Sequence, residues 1–340
     1  MLNRRQFTLA ASAAAAAAAA PRPKTILGVC TTSYLTATRP RDTLAFLEHC
    51  RSQGAGGIQA SMSSADPAFA KTLRAKLDGY GMFYEGMLPM PKSDNDESYE
   101  AQIVAAKAAG AAVFRTGCLS GRRYETFNDL ASWKTFVANS EKAIERTARA
   151  ADKHKVAIGI ENHKDWTTGE LADLMRRYSS EYLGVTLDTG NNFSLLDEPY
   201  SLLETLAPWA VTTHIKDMAL GEYADGFLLS EVNLGDGMLD MPRVLQIVRK
   251  ARPKTRFILE MITRDPLKVP VWTDKYWITF ADRRATALAS TMQLVKRNPP
   301  RVPPPVTSGK PVEDVKVMEA QNVGACLRYF YEKLEPALRV

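Results

Sequence analysis

Four apolar runs each end in a side chain able to bind a cation or move a proton. Val156 to Ile160 leads into Glu161, Tyr182 to Leu187 into Asp188, Val211 to Thr213 into His214, and Arg256 to Leu259 into Glu260. Singly, such a carboxylate reads as a helix cap or salt-bridge partner, and a lone histidine as a structural residue. Together, as Glu, Asp, His, Glu on successive strand ends, they can converge on one divalent ion. Three carboxylates and one imidazole form a hard, oxygen-rich donor set. That set favours Mn²⁺, with Mg²⁺, Co²⁺ or Fe²⁺ as alternatives, over a thiolate zinc site. An ion holding a carbonyl and its adjacent hydroxyl makes the neighbouring C–H acidic and stabilises an enediolate.

Strand residues two apart share a face, so His163 goes with Glu161, Gly190 with Asp188 and Lys216 with His214. Lys216 reads either as a binder of anionic substrate oxygen or as part of a structural ion pair. Arg115 and Glu85, near the ends of two earlier strands, read as groups that orient substrate hydroxyls or as a salt bridge inside the barrel. Asn191 reads as a substrate hydrogen-bond partner or a turn residue.

These residues need a scaffold of alternating strands and helices. Candidate strands are Thr25 to Cys30, Gly57 to Ser61, Met82 to Met87, Ala112 to Thr116, Val156 to His163, Tyr182 to Asp188, Val211 to Ile215 and Arg256 to Met261. Between them, Asp66-Pro67 and Thr167 with Glu170 start helices, and Gly54 and Gly110 stop them. Strand starts recur at ~30-residue intervals, as in successive βαβ units. Eight units predict a (β/α)8 TIM barrel with its active site at the C-terminal strand ends, where the four residues fall. No GxGxxG follows the first strand, so a dinucleotide fold lacks its fingerprint. Asp217 to Asp240 and Ile262 to Phe280 read as long loops covering the substrate.

Three parts are expected: an export signal over 1–20, the catalytic barrel over 24–298, and a Pro-rich linker with a C-terminal helix over 299–340. Arg4-Arg5, a weakly apolar stretch and an alanine run to Ala20 fit a twin-arginine signal, too short and alanine-rich to span a membrane. Periplasmic location follows, with no stable membrane insertion. Pro299 to Pro305 reads as a stiff spacer, and Val312 to Leu334 as a helix packed on the barrel or on a neighbouring subunit, so a homo-oligomer is one outcome. The net charge of +6 includes Arg4 and Arg5, and no basic run interleaves with aromatics, which speaks against nucleic acid. Cys30, Cys50, Cys118 and Cys326 form no CxxC pair and read as buried small hydrophobes.

With these motifs in hand, IENHKDW at Ile160, VTLDTGNN at Val185, HIKD at His214 and ILEM at Ile258, the chain resembles the xylose-isomerase-like TIM-barrel superfamily, in its sugar phosphate isomerase/epimerase branch, over roughly 24–298. The resemblance implies that Glu161, Asp188, His214 and Glu260 bind the metal, that Glu161 and Glu260 act as acid and base on opposite substrate faces, and that His163 contacts substrate hydroxyls. DTGNN departs from ketose 3-epimerases, which place a histidine after the aspartate. The implied activity is a metal-dependent isomerase or epimerase acting on a sugar or keto-sugar. The alternative is a lyase, hydratase or decarboxylase on a 3-keto-sugar or oxo sugar acid through the same enediolate. An apurinic endonuclease-like phosphodiesterase needs more histidines than His49, His154, His163 and His214 supply. Export and the lack of a phosphate-cradling glycine loop predict an unphosphorylated carbohydrate substrate.

Overall fold

Each of the eight apolar runs forms a parallel strand in the computed structural model, which describes residues 25–280 and 284–338. The stretch 1–20 lies outside the described residues. In chain order the strands are β1 (Gly28–Cys30), β2 (Gly57–Ala60), β3 (Phe83–Met87), β4 (Val113–Thr116), β5 (Ala157–Glu161), β6 (Leu183–Asp188), β7 (Ala210–His214), β8 (Asp217–Tyr223), β9 (Gly226–Val232), β10 (Ile258–Leu259) and β11 (Leu267–Val269). The main sheet runs β10-β1-β2-β3-β4-β5-β6-β7. Its seam between β7 and β10 is bridged by Ile215 N donating to Ile258 O at 2.7 Å and Glu260 N donating to Ile215 O at 3.1 Å. The result is a nearly closed (β/α)8 barrel, its strands buried by inward side chains and by the surrounding helices.

Helix starts follow the local chemistry read from the sequence. Asp66 Oδ1 accepts from Ala68 N at 2.9 Å ahead of the helix Pro67–Tyr80, and Thr167 and Glu170 form a reciprocal capping box. Strand β5 stops at Glu161, two residues earlier than expected. Asn162 ends it: its side chain accepts from Asp188 N and donates to Asp188 O, both at 2.8 Å, in place of backbone pairing.

The two segments read as loops are partly strands, which corrects that expectation. β8, β9 and β11 form an antiparallel sheet, with Tyr223 opposite Gly226 across a two-residue turn. Leu220, Phe227, Leu229 and Val269 are buried in it, an alternation that supports a hairpin. Asp217 anchors the sheet to the barrel: its carboxylate accepts from Gly235 N, Gly237 N and Leu239 N at 3.0, 3.0 and 3.1 Å. A Cβ on Gly237 would lie 2.1 Å from Asp217 Oδ1, so only glycine fits this approach.

The C-terminal helix Val312–Tyr329 packs on the barrel through Val323, Cys326 and Leu327. Its buried Glu319 accepts from the backbone N–H groups of Thr36, Ala37 and Thr38 at 2.9, 3.0 and 2.8 Å. The turn following β1 is thereby fixed by the distant end of the chain. All four cysteines are free, and Cys30, Cys50 and Cys326 are buried. No helix among the described residues is long and apolar enough to cross a membrane.

Candidate metal centre

Strands β5, β6 and β7 and the residue after β10 bring Glu161, Asp188, His214 and Glu260 to one point at the barrel mouth. One ligand atom from each lies within 4.8 Å of the others, and all four residues are buried. His214 Nδ1 is 3.2 Å from Glu161 Oε1, 3.5 Å from Glu260 Oε1 and 3.9 Å from Asp188 Oδ2. The two glutamates therefore flank the imidazole.

A layer beneath the cluster sets the ring. Gln59 Nε2 donates to Glu85 Oε2 at 3.2 Å, which turns Gln59 Oε1 toward His214 Nε2 at 2.6 Å. That amide orientation makes Nε2 the donor to Gln59 and turns Nδ1 toward the carboxylates, so a neutral ring here carries its lone pair on Nδ1. Glu85, read from sequence as a substrate contact or salt-bridge partner, instead lies fully buried under Gln59 and also accepts from Thr212 Oγ1 at 2.6 Å. Burial raises its carboxyl pKa.

Each carboxylate has its own support. Asp188 Oδ1 accepts from Gly190 N and Asn191 N at 2.8 and 2.7 Å, while Oδ2 makes no hydrogen bond, although Lys216 Nζ is 2.9 Å away. Glu161 Oε2 accepts from Arg115 Nε at 2.6 Å and also from Arg115 Nη2; its Oε1 accepts from Asn191 Nδ2 at 3.1 Å. Glu260 Oε1 accepts from Thr32 Oγ1 at 2.7 Å, and its Oε2 from Lys216 Nζ. Thr32 lies in the helical turn Thr31–Tyr34, just ahead of the residues 36–38 that Glu319 binds.

Burial alone raises the Glu161 and Glu260 pKa values, but Arg115 and His214 for the first, and Lys216 and His214 for the second, hold both below the ordinary range. Asp188 is raised by burial, with Lys216 opposing. Burial disfavours a charged His214, yet Glu260 and Glu161 outweigh it and raise its pKa well above the usual value. The cluster attracts positive charge strongly. Three buried carboxylates and the imidazole of His214, with ligand atoms within 4.8 Å of one another, fit a divalent ion, which would take the place of the proton that the carboxylates favour on the ring. Cys30 also approaches His214 and Glu260, but the carboxylate set makes the harder site.

The remaining residues read from sequence lie around this point. Arg115 and Asn191 bond Glu161 directly, so both sit in the cluster's support. His163 is half-buried with Nδ1 free of any hydrogen bond; burial, then Lys164, push its pKa down to about 3, which keeps the imidazole neutral. Gln59 and Lys164 join the site only in the folded structure. Gln59 lies inside an apolar run, where its polarity was the available signal, and Lys164 lies inside IENHKDW itself.

The family described as xylose isomerase-like TIM barrel matches residues 47–284. The chain belongs to this family. Among curated proteins, the 3-oxo-isoapionate decarboxylase of Pectobacterium atrosepticum is 26% identical over 230 residues, which is 66% of this chain and 78% of that one. Solved members of the xylose isomerase-like fold agree at lower identity. A xylose isomerase-like TIM barrel protein from Mycobacterium smegmatis in complex with magnesium has a TM-score of 0.53 at 15% identity, covering 79% of this chain and 97% of that one. A sugar phosphate isomerase/epimerase from Parabacteroides distasonis has a TM-score of 0.54 at 11% identity, covering 91% and 98%.

Proposed function

We propose that this chain is a divalent-metal-dependent enzyme acting on an oxo-sugar or oxo sugar acid through an enediolate, as an isomerase or epimerase. The observation that carries this reading is Glu161 and Glu260 flanking His214 Nδ1 inside one buried four-residue cluster. A bound divalent ion, with Mn²⁺ the first choice, supplies polarisation of the substrate carbonyl. Glu161 and Glu260 would share the proton transfers: the ionised one takes a proton from carbon on one substrate face, and the other, after gaining a proton from solvent, returns one on the opposite face. Arg115 and Lys216 fix the two carboxylates in position, and Lys216 would offer its positive charge to a developing enediolate oxygen. His163, neutral and with a free Nδ1, would hydrogen-bond a substrate hydroxyl.

A second reading, decarboxylation of an oxo sugar acid, is favoured by the pairing of both glutamates with permanent cations. Such carboxylates are weak bases, and breaking the bond between the α-carbon and the carboxylate needs no base. CO₂ leaves, the electron pair enters the enediolate, and a proton returns to carbon. The relative named as a 3-oxo-isoapionate decarboxylase supports the same reading.

Incubation in D₂O with keto-sugars and with oxo sugar acids tests both. Deuterium incorporation into a keto-sugar, lost in Glu260→Gln and Glu161→Gln, supports isomerase or epimerase action. CO₂ release from an acid without exchange into neutral sugars supports decarboxylation. Neither signal from the Mn²⁺-loaded protein rejects the enediolate reading.

A further inference from the structure

Lys164 is buried, with 4% of its surface exposed, and its ammonium group donates to Asn191 Oδ1. Lys216 Nζ approaches the same oxygen at 3.3 Å. Asn191 is held there because its Nδ2 donates to Glu161 Oε1 at 3.1 Å and to Asn162 O at 3.4 Å. Two ammonium groups thus meet on one neutral amide oxygen.

Their other partners differ. Lys216 pairs with Asp188 and Glu260, and nearby Arg264 pairs with Glu231 at 2.5 Å. Among the described residues, Lys164 makes no ion pair with a carboxylate; it has the amide alone. A buried charge without a counter-ion is costly, and a second cation beside it adds repulsion. Burial, then Lys216 and Arg264, push the Lys164 pKa down to about 8, so its ammonium form still prevails at neutral pH.

We propose that Lys164 and Lys216 form a seat for a substrate carboxylate, so that the substrate is a sugar acid. This rests on the enzymatic reading above and narrows its substrate class. Charge favours a carboxylate over a phosphate. Glu161, Asp188, Glu260 and Glu231 are matched in number by Arg115, Lys164, Lys216 and Arg264. A divalent ion adds two positive charges, which one carboxylate and one enediolate oxygen neutralise; a phosphate dianion with the same enediolate exceeds them.

D-gluconate and D-sorbitol share a carbon chain and differ by the carboxylate, and their binding can be measured calorimetrically at pH 7 on Mn²⁺-loaded wild type, Lys164→Met and Lys164→Gln. Wild type is expected to bind gluconate about tenfold or more tighter than sorbitol. Lys164→Met is expected to lose that preference while binding sorbitol within about twofold of wild type. Lys164→Gln keeps a hydrogen-bond donor in place of the charge, and it stands in if the methionine variant does not fold. Unchanged gluconate binding in the variants, or equal binding of the two ligands by wild type, overturns the seat. Tighter binding of D-glucose 6-phosphate than of gluconate, lost in the variants, overturns the carboxylate assignment in favour of phosphate. Mn²⁺ content is measured alongside: a wild type that retains no Mn²⁺ contradicts the proposed function, and the gluconate preference of the metal-free protein then decides the seat by itself.

Discussion

His214 Nε2 donates to Gln59 Oε1 over 2.6 Å, and that bond decides which ring nitrogen faces the carboxylates. Gln59→Leu removes the acceptor and frees the tautomer and ring angle. Outer partners of ligating histidines are worth about 10- to 100-fold in metal affinity. A weakening in that range is expected for Mn²⁺ in a competition titration, with the circular dichroism spectrum unchanged. Wild-type affinity in Gln59→Leu contradicts the proposed positioning.

Gly190 has φ −127°, so space and not backbone strain requires glycine there. A Cβ would lie 2.5 Å from Met218 Sδ and 2.9 Å from Lys216 Cδ, both on buried side chains. Gly190→Ala is expected to cost about 1–3 kcal/mol in chemical unfolding. Because Lys216 must shift, kcat is expected to fall more than the stability loss explains. An alanine variant with wild-type stability and kcat rules this out.

Lys164 supplies a pH test. Burial first, then Lys216 and Arg264, lower its pKa from 10.5 to about 8, while Glu231 and Asp188 oppose the shift. Between those values the unfolded chain holds a proton that the folded chain has released, so folding stability rises with pH across the window. Relative to Lys164→Met, wild type is expected to gain on the order of 3 kcal/mol between about pH 7 and about pH 11. Parallel stability curves for the two proteins contradict this.

Arg123 is 1% exposed and ties three segments together. It donates to Thr279 Oγ1 and Thr279 O at 2.9 and 2.8 Å, to Asp165 O at 3.2 Å and to Glu170 at 2.7 Å, and it stacks 3.7 Å over Trp133. Arg123→Met leaves those acceptors unpaired and is expected to cost roughly 3 kcal/mol. A melting temperature within about 2 °C of wild type contradicts that role.

Strand-end polarity made the barrel and the four-residue cluster legible: β5 and β10 are apolar up to Glu161 and Glu260, and β6 and β7 carry no polar residue except threonine before Asp188 and His214. The β8–β9 hairpin was hidden in a long connection: its alternation is short, and its buried leucines resemble loop anchors. The layer beneath the site was hidden for a different reason. Gln59 and Glu85 sit on strands far earlier in the chain, and only barrel closure brings them under His214. Lys164 is silent in the sequence because a lysine beside a strand end reads as a solvated charge; its burial and its shared amide partner exist only in three dimensions.

The most direct test of the cluster is a count of divalent ions per chain after Mn²⁺ loading and desalting, made by mass spectrometry on wild type, Glu161→Gln, Asp188→Asn, His214→Gln and Glu260→Gln. One ion per chain is expected in wild type, with retention falling to about a tenth or less in Asp188→Asn and His214→Gln. Full retention in all four variants, or no ion in wild type, contradicts convergence of these side chains on one cation.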